Sequence, residues 1–106
     1  MTIYEPQSSE ETYTKIRNTS RVLVMVSAQW CIQCHNFTHY YEKASNKLSS
    51  FLFLKVDYDK CPEMYKENKS VEKVPTFILY IDGIETKRFD SYIKTNLDKM
   101  VKNYTA

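Results

Sequence analysis

Val22-Leu23-Val24-Met25-Val26 is an unbroken apolar run, rich in β-branched side chains. A strand with no polar alternation is covered on both faces, and that demands a sheet with helices above and below it. Phe77–Ile81 is a second such run, within a strand over Thr76–Ile81, and Phe51–Asp57 reads as a third buried strand. After the first run, Cys34, Phe37, Tyr41, Ala44 and Leu48 recur at the spacing of one helical face, which predicts a helix from about Cys31 to about Ser49.

The remaining elements fill the gaps. Thr2–Tyr4 reads as a short first strand. Ser8-Ser9-Glu10-Glu11 fits a capping box, and Tyr13 with Ile16 supplies a weak stripe for a helix over roughly 9–18. Cys61-Pro62-Glu63 opens a short helix that stops near Asn68. Asp82-Gly83 is a hairpin signal that returns Ile84–Phe89 antiparallel to the strand before it. Ile93, Leu97, Met100, Val101 and Tyr104 form the stripe of a closing helix. The order β-α-β-α-β-α-β-β-α predicts a mixed α/β sheet covered by helices on both faces, with an antiparallel hairpin at its edge.

A chain of 106 residues has room for one domain, spanning 1–106. Fifteen basic residues against thirteen acidic ones leave +2, with the signs interspersed, which argues against nucleic acid or an anionic membrane as partner. Neither apolar run approaches the ~20 residues that span a bilayer. The start, Met1-Thr2-Ile3-Tyr4-Glu5-Pro6, lacks the basic and apolar stretches of an export signal. Three cysteines, two of them as Cys31-Ile32-Gln33-Cys34, therefore point to a reducing, cytoplasmic setting and to redox or metal chemistry.

Cys31 falls where the strand hands over to the helix, so unpaired backbone N–H groups and the helix dipole favour its thiolate. Cys34 shares the apolar stripe with Phe37 and Tyr41 and should be shielded. An exposed thiolate beside a shielded thiol suits thiol–disulfide exchange: Cys31 attacks a substrate disulfide, and Cys34 resolves the mixed disulfide. The plain alternative is two cysteines filling core space. The chemical rival is a metal site from Cys31, His35 and His39, with Cys34 or Cys61 as a further ligand. Cys31 and His39 lie about 12 Å apart by helix rise, too far to share one ion. That leaves a Cys31–Cys34–His35 site as the minor alternative, since most CxxC zinc sites use a second ligand pair; His35 and His39 read better as solvent-facing. Cys61 reads as a small, partly covered cap, and the nine tyrosines read as half-buried packing residues.

Ala28-Gln29-Trp30-Cys31-Ile32-Gln33-Cys34 resembles the A-x-W-C-x-x-C segment of the thioredoxin family. Val74-Pro75-Thr76-Phe77 resembles its cis-proline segment, Phe53–Asp57 with Asp59 its third strand, and Asp82-Gly83 its hairpin turn. The resemblance runs along essentially the whole chain. It implies a three-layer thioredoxin-like fold and a protein-disulfide reductase working through a reversible Cys31–Cys34 disulfide. It implies cis Pro75 facing the cysteine pair, with Trp30, Val74 and Pro75 receiving an extended substrate segment. It implies no metal or bound cofactor, because the cysteine pair is itself the redox group, and it implies electrons from an NADPH-dependent flavoprotein of the thioredoxin reductase kind. The implied substrates are disulfide-containing proteins such as peroxidases or reductases, met by a monomer.

Four positions depart from the family pattern. Gln33 stands where the family has proline and restores an N–H that can face Cys31. Met25 stands where it keeps a buried carboxylate that helps move the second thiol's proton; Lys55 would neighbour that carboxylate, and without it pairs with Asp57 or reaches solvent. Asp90 replaces a glycine and His35 a lysine. These departures motivate a second reading, a partner-specific redox module with little general reductase activity. A secretory isomerase domain is a third reading, unsupported by any export or retention signal.

Overall fold

The computed structural model describes residues 3–90 and 94–104. Five strands, β1 (Ile3–Tyr4), β2 (Arg21–Ser27), β3 (Leu52–Asp57), β4 (Thr76–Ile81) and β5 (Ile84–Phe89), form one sheet in the order β1-β3-β2-β4-β5. β1, β3 and β2 run parallel, while β4 is antiparallel to both β2 and β5. Helices α1 (Ser9–Arg17), α2 (Ile32–Lys47), α3 (Pro62–Tyr65) and α4 (Lys94–Val101) follow in chain order, and a 3-10 turn spans Lys102–Tyr104. The mixed α/β architecture expected from the apolar runs is the one observed.

β2 explains why the sheet needs two covers. All of Val22–Val26 is buried, with Leu23 and Met25 on one face and Val22, Val24 and Val26 on the other. On the first face α2 and α4 contribute Phe37, Tyr41, Ala44, Leu97, Met100 and Val101. On the second, α1 and α3 contribute Ile16, Met64 and Tyr65. Each Val, Leu, Ile, Phe or Met buried in this way contributes roughly 1.5–3 kcal/mol of transfer free energy. Tyr41 is fully buried, not half-buried, and its hydroxyl donates toward the carbonyls of Leu23 (3.1 Å) and Leu54 (2.8 Å), tying α2 to adjacent strands.

Three expectations need correction. Tyr13 is exposed; Thr12 takes the buried face of α1 beside Ile16, its hydroxyl donating to the Ser8 carbonyl. The capping box forms by halves. Ser8 Oγ accepts the Glu11 N–H, but the Glu11 carboxylate reaches past Ser8 to the Gln7 N–H. α3 ends at Tyr65, short of Asn68. The hairpin at Asp82-Gly83 is as expected, with φ of 51° and 82°, the left-handed pair such a turn requires. Thr2 and Ile93 lie outside the described residues.

Candidate functional site: a disulfide at a helix cap

β2 delivers the chain to Ala28, and Cys31 becomes the N-cap of α2 with an extended backbone. Cys31 and Cys34 are joined as a disulfide. The Cys34 N–H donates to Cys31 Sγ at 3.1 Å, so the cap's hydrogen bond ends on sulfur. Val74 O lies 3.8 Å from the same sulfur, brought there by the loop whose Val74–Pro75 peptide is cis. Cys31, Cys34, Ala28 and Met25 belong to one buried cluster, against which Val74 packs.

Both cysteines are covered, Cys31 at 3% and Cys34 at 1% exposure. The expected contrast of an exposed and a shielded thiol is therefore absent in the disulfide form. What distinguishes the two sulfurs is the amide pointed at Cys31. That amide belongs to Cys34, not to Gln33; Gln33 instead places its side-chain oxygen 4.0 Å from Cys31 Sγ.

Around the disulfide the surface is apolar and open. Trp30 is 65% exposed and Ile32 71%. Ile32 was not foreseen as part of this surface, although an apolar residue at the first position of a helix whose buried stripe starts at Cys34 is the signal that reveals it. Trp30 is held by its indole N–H donating to Asp59 Oδ2 at 2.8 Å, and Lys66 meets Asp59 Oδ1 at 2.7 Å. The Lys66 ammonium, and then the Trp30 indole, hold the Asp59 carboxyl below its usual range. Asp59 thus orients the tryptophan, a role the sequence showed only through the third-strand motif.

Behind Cys34 lies a cavity of about 230 Å³, lined also by Ser27, His35, Lys55, Asp57 and Lys60. Met25 pairs in register with Lys55, so a carboxylate at position 25 would stand beside that lysine. Lys55 is half-buried and pairs with neither Asp57 nor any other carboxylate among the described residues. Asp57 Oδ1 instead accepts the N–H groups of Asp59 and Lys60. His35 and His39 are exposed, and His35 Nε2 meets the Gln29 carbonyl at 2.9 Å. A carbonyl only accepts, so that ring nitrogen carries a proton. No group of three or more His, Cys, Asp or Glu among the described residues is placed to hold a metal ion. Asp90 is exposed and pairs with Lys73 at 3.9 Å.

Cys61 is completely buried, not partly covered, and its Sγ lies 3.8 Å from the Pro6 carbonyl.

A CxxC disulfide capping a helix, facing a cis-proline loop on a five-stranded α/β sheet, defines a dithiol–disulfide oxidoreductase. The thioredoxin family's sequence model matches residues 5–103. A 33% identical relative, a putative thioredoxin-5 of Dictyostelium discoideum, aligns over 92% of this chain and 94% of its own length. Thioredoxin-3 of the same organism is 34% identical over 77% of this chain and 78% of its own. The solution structure of oxidised thioredoxin from Plasmodium falciparum superposes with a TM-score of 0.89 at 26% identity, covering 99% of this chain and all of that one. The chain belongs to the thioredoxin family and is a protein-disulfide oxidoreductase.

Proposed function

We propose that the protein acts as a single domain over 1–106 that reduces protein disulfides, with Cys31 as nucleophile and Cys34 as resolving thiol. In the reduced form the Cys31 thiolate attacks one sulfur of a substrate disulfide, forming a mixed disulfide and releasing the first substrate thiolate, which takes up a proton. Cys34 then loses its proton and attacks Cys31 Sγ. The internal disulfide closes, the second substrate thiolate leaves, and two electrons have passed to the substrate.

The observation that carries this assignment is the Cys34 N–H on Cys31 Sγ, a donor that stabilises negative charge on the attacking sulfur. Exposed Trp30 and the Val74 carbonyl 3.8 Å from Cys31 Sγ supply an apolar, backbone-bearing surface for an extended substrate segment, with Pro75 buried next to Val74 in the same loop. By family likeness, NADPH-dependent flavoprotein reductase supplies the electrons, no bound cofactor takes part, and peroxidases or reductases with an oxidised cysteine pair are the substrates. The protein works as a monomer in the cytoplasm, where such a dithiol stays reduced.

The test is an NADPH-coupled disulfide-reduction assay with a thioredoxin reductase. Wild type turns over; Cys31→Ser does not. Activity retained in Cys31→Ser refutes the assignment of the nucleophile.

A further inference from the structure

Where α2 meets α4, a groove of about 990 Å³ opens that the disulfide chemistry leaves unused. Its floor is apolar, formed by Ala44, Leu48 and Val101. Its walls carry Lys43 and Lys47 from α2, and Lys99 and Lys102 from α4 and the turn after it. Asp98 is the single acid in the lining, and its Oδ1 accepts the Tyr40 hydroxyl at 2.6 Å. Among the described residues, Lys43, Lys47 and Lys99 have no carboxylate partner. Four lysines against one aspartate give the groove +3, whereas the whole chain carries +2, so everything else amounts to −1. The positive charge of this protein is concentrated here.

Asn36 and Lys47 mark the ends of the α2 wall, about 16 Å apart by helix rise, the length of roughly five extended residues. Asn36 lies two residues past Cys34, so one wall of the groove is the same helix whose start carries the redox pair. Like charges four residues apart on one helix, as Lys43 and Lys47 are, repel each other until an anion lies between or over them.

We propose that this groove binds a short acidic segment, Asp or Glu interleaved with an apolar side chain or two, on the protein whose disulfide Cys31 attacks. The proposal rests on the disulfide-exchange reading and adds how a substrate is selected. The acidic residues meet the lysine walls, and the apolar ones reach Ala44, Leu48 and Val101. A single-stranded nucleic acid fits less well, because it needs open aromatic faces to stack on. Tyr40, the aromatic in the lining, is half-buried and packs edge-on against Phe37 at 5.3 Å. A vesicle surface cannot enter a recessed floor. Binding of this kind speeds capture of the substrate and weakens with salt.

The experiment offers the reduced protein two disulfide peptides that differ only in a tail, Glu-Leu-Glu-Glu-Leu-Glu or Gln-Leu-Gln-Gln-Leu-Gln, and follows peptide thiol release in single turnovers. At low salt the acidic peptide should react about tenfold faster, and the two rates should converge near ~0.5 M salt. Lys43→Glu/Lys47→Glu should remove the preference and leave the glutamine-tailed rate unchanged. Lys43→Gln/Lys47→Gln, which keeps both side chains polar and long, should fall between. Equal rates for the two tails with wild type at low salt would overturn the proposal. So would a preference that survives charge reversal. Displacement of a labelled acidic peptide by oligothymidylate or phosphatidylserine vesicles, at lower charge concentration than by the unlabelled peptide, would reassign the groove to those partners. If wild type reduces neither peptide, exchange itself fails and the docking proposal falls with it.

Discussion

Two buried cysteines of this chain sit at helix N-caps, Cys31 at α2 and Cys61 at α3, and they differ in the groups aimed at the sulfur. At α2 the N–H three residues on, that of Cys34, donates to the cap sulfur. At α3 the corresponding N–H belongs to Met64, and the Ser9 hydroxyl takes it at 3.1 Å. Pro62 removes another donor from the first turn, and the helix is only 4 residues long against 16 for α2. Cys61 Sγ faces the Pro6 carbonyl instead of an amide. Burial, followed by the carboxylates of Asp57, Glu63 and Glu11, pushes the Cys61 thiol up, while Thr12 opposes the shift. A helix start activates a cysteine only where its amide is aimed at the sulfur and no other cap has claimed it.

The largest effects should separate the three thiols. Cys31→Ser should abolish turnover, Cys34→Ser should trap substrates as mixed disulfides through Cys31, and Cys61→Ser should keep turnover within about twofold. Alkylation of the reduced protein at neutral pH should label Cys31 at least ~10²-fold faster than Cys61, whose full burial requires local opening first. Mass spectrometry of timed quenches reads both rates. Comparable labelling would show that the cap hydrogen bond does not set reactivity.

Met25→Asp probes the second thiol of the same helix start. Cys34 must shed a proton inside the protein, and a free thiol has a pKa of about 8.5, raised further by apolar surroundings. With a thioether at position 25, wild-type turnover should be slow near neutral pH and climb towards alkaline pH. A carboxylate there, beside Lys55 in register, should raise the neutral rate several-fold. It should also cost stability, on the order of a few kcal/mol for a buried polar group without full compensation. Stopped-flow rates against pH and urea melts check the two together. An unchanged neutral rate in a folded variant would assign the Cys34 proton to groups already lining its cavity, such as Asp57 or His35.

The sequence made the frame of this site legible because its signals are local. Val22–Val26 and Phe77–Ile81 declare themselves by lacking alternation, Asp82-Gly83 by its backbone demands, and the cysteine pair by falling between a strand and a helical stripe. The acidity of Cys61 could not be read in this way. It depends on burial and on Thr12 and Glu11, about fifty residues earlier, which α1 brings against the start of α3. The covering of Cys31 likewise depends on Val74, 43 residues away. Exposure and hydrogen-bond competition are properties of the packed chain, so the motif named the reacting residues and the helical stripe foretold the covered Cys34, but neither foretold the covering of Cys31.

Ser9→Ala tests whether the competing cap is what silences Cys61. Losing that hydroxyl leaves the Met64 N–H unpaired and should cost about 1–2 kcal/mol in a urea melt at neutral pH. The freed amide is the donor that Cys31 enjoys at α2, so the Cys61 thiol should move down towards its ordinary value. The sign follows from the folded value lying above the unfolded one. Cys61 contributes stability that is fully present below the unfolded thiol's pKa and is lost as pH rises through the raised folded value. Ser9→Ala should therefore be less stable at neutral pH but decline less steeply between about pH 9 and 10, before the tyrosines titrate. An unchanged alkaline slope would leave burial and the nearby carboxylates responsible.

The smallest effect is expected at Gln33. Proline at this position removes the Gln33 N–H and the side-chain oxygen 4.0 Å from Cys31 Sγ. It leaves the Cys34 N–H, the donor seen on that sulfur, in place. A proline in the first turn of a helix removes only an amide that has no partner within the helix. Stabilising the Cys31 thiolate makes the disulfide more oxidising, and for this two-electron couple about 30 mV corresponds to about 1.4 kcal/mol, roughly one hydrogen bond to a charged sulfur. Gln33→Pro should thus shift the potential, measured by equilibration with glutathione, by less than that amount. A larger fall would mean that on reduction the Gln33 amide turns its N–H groups to the thiolate, giving Cys31 a second donor that Cys61 also lacks. The contrast between the two caps would then rest on two amides at one sulfur and none at the other.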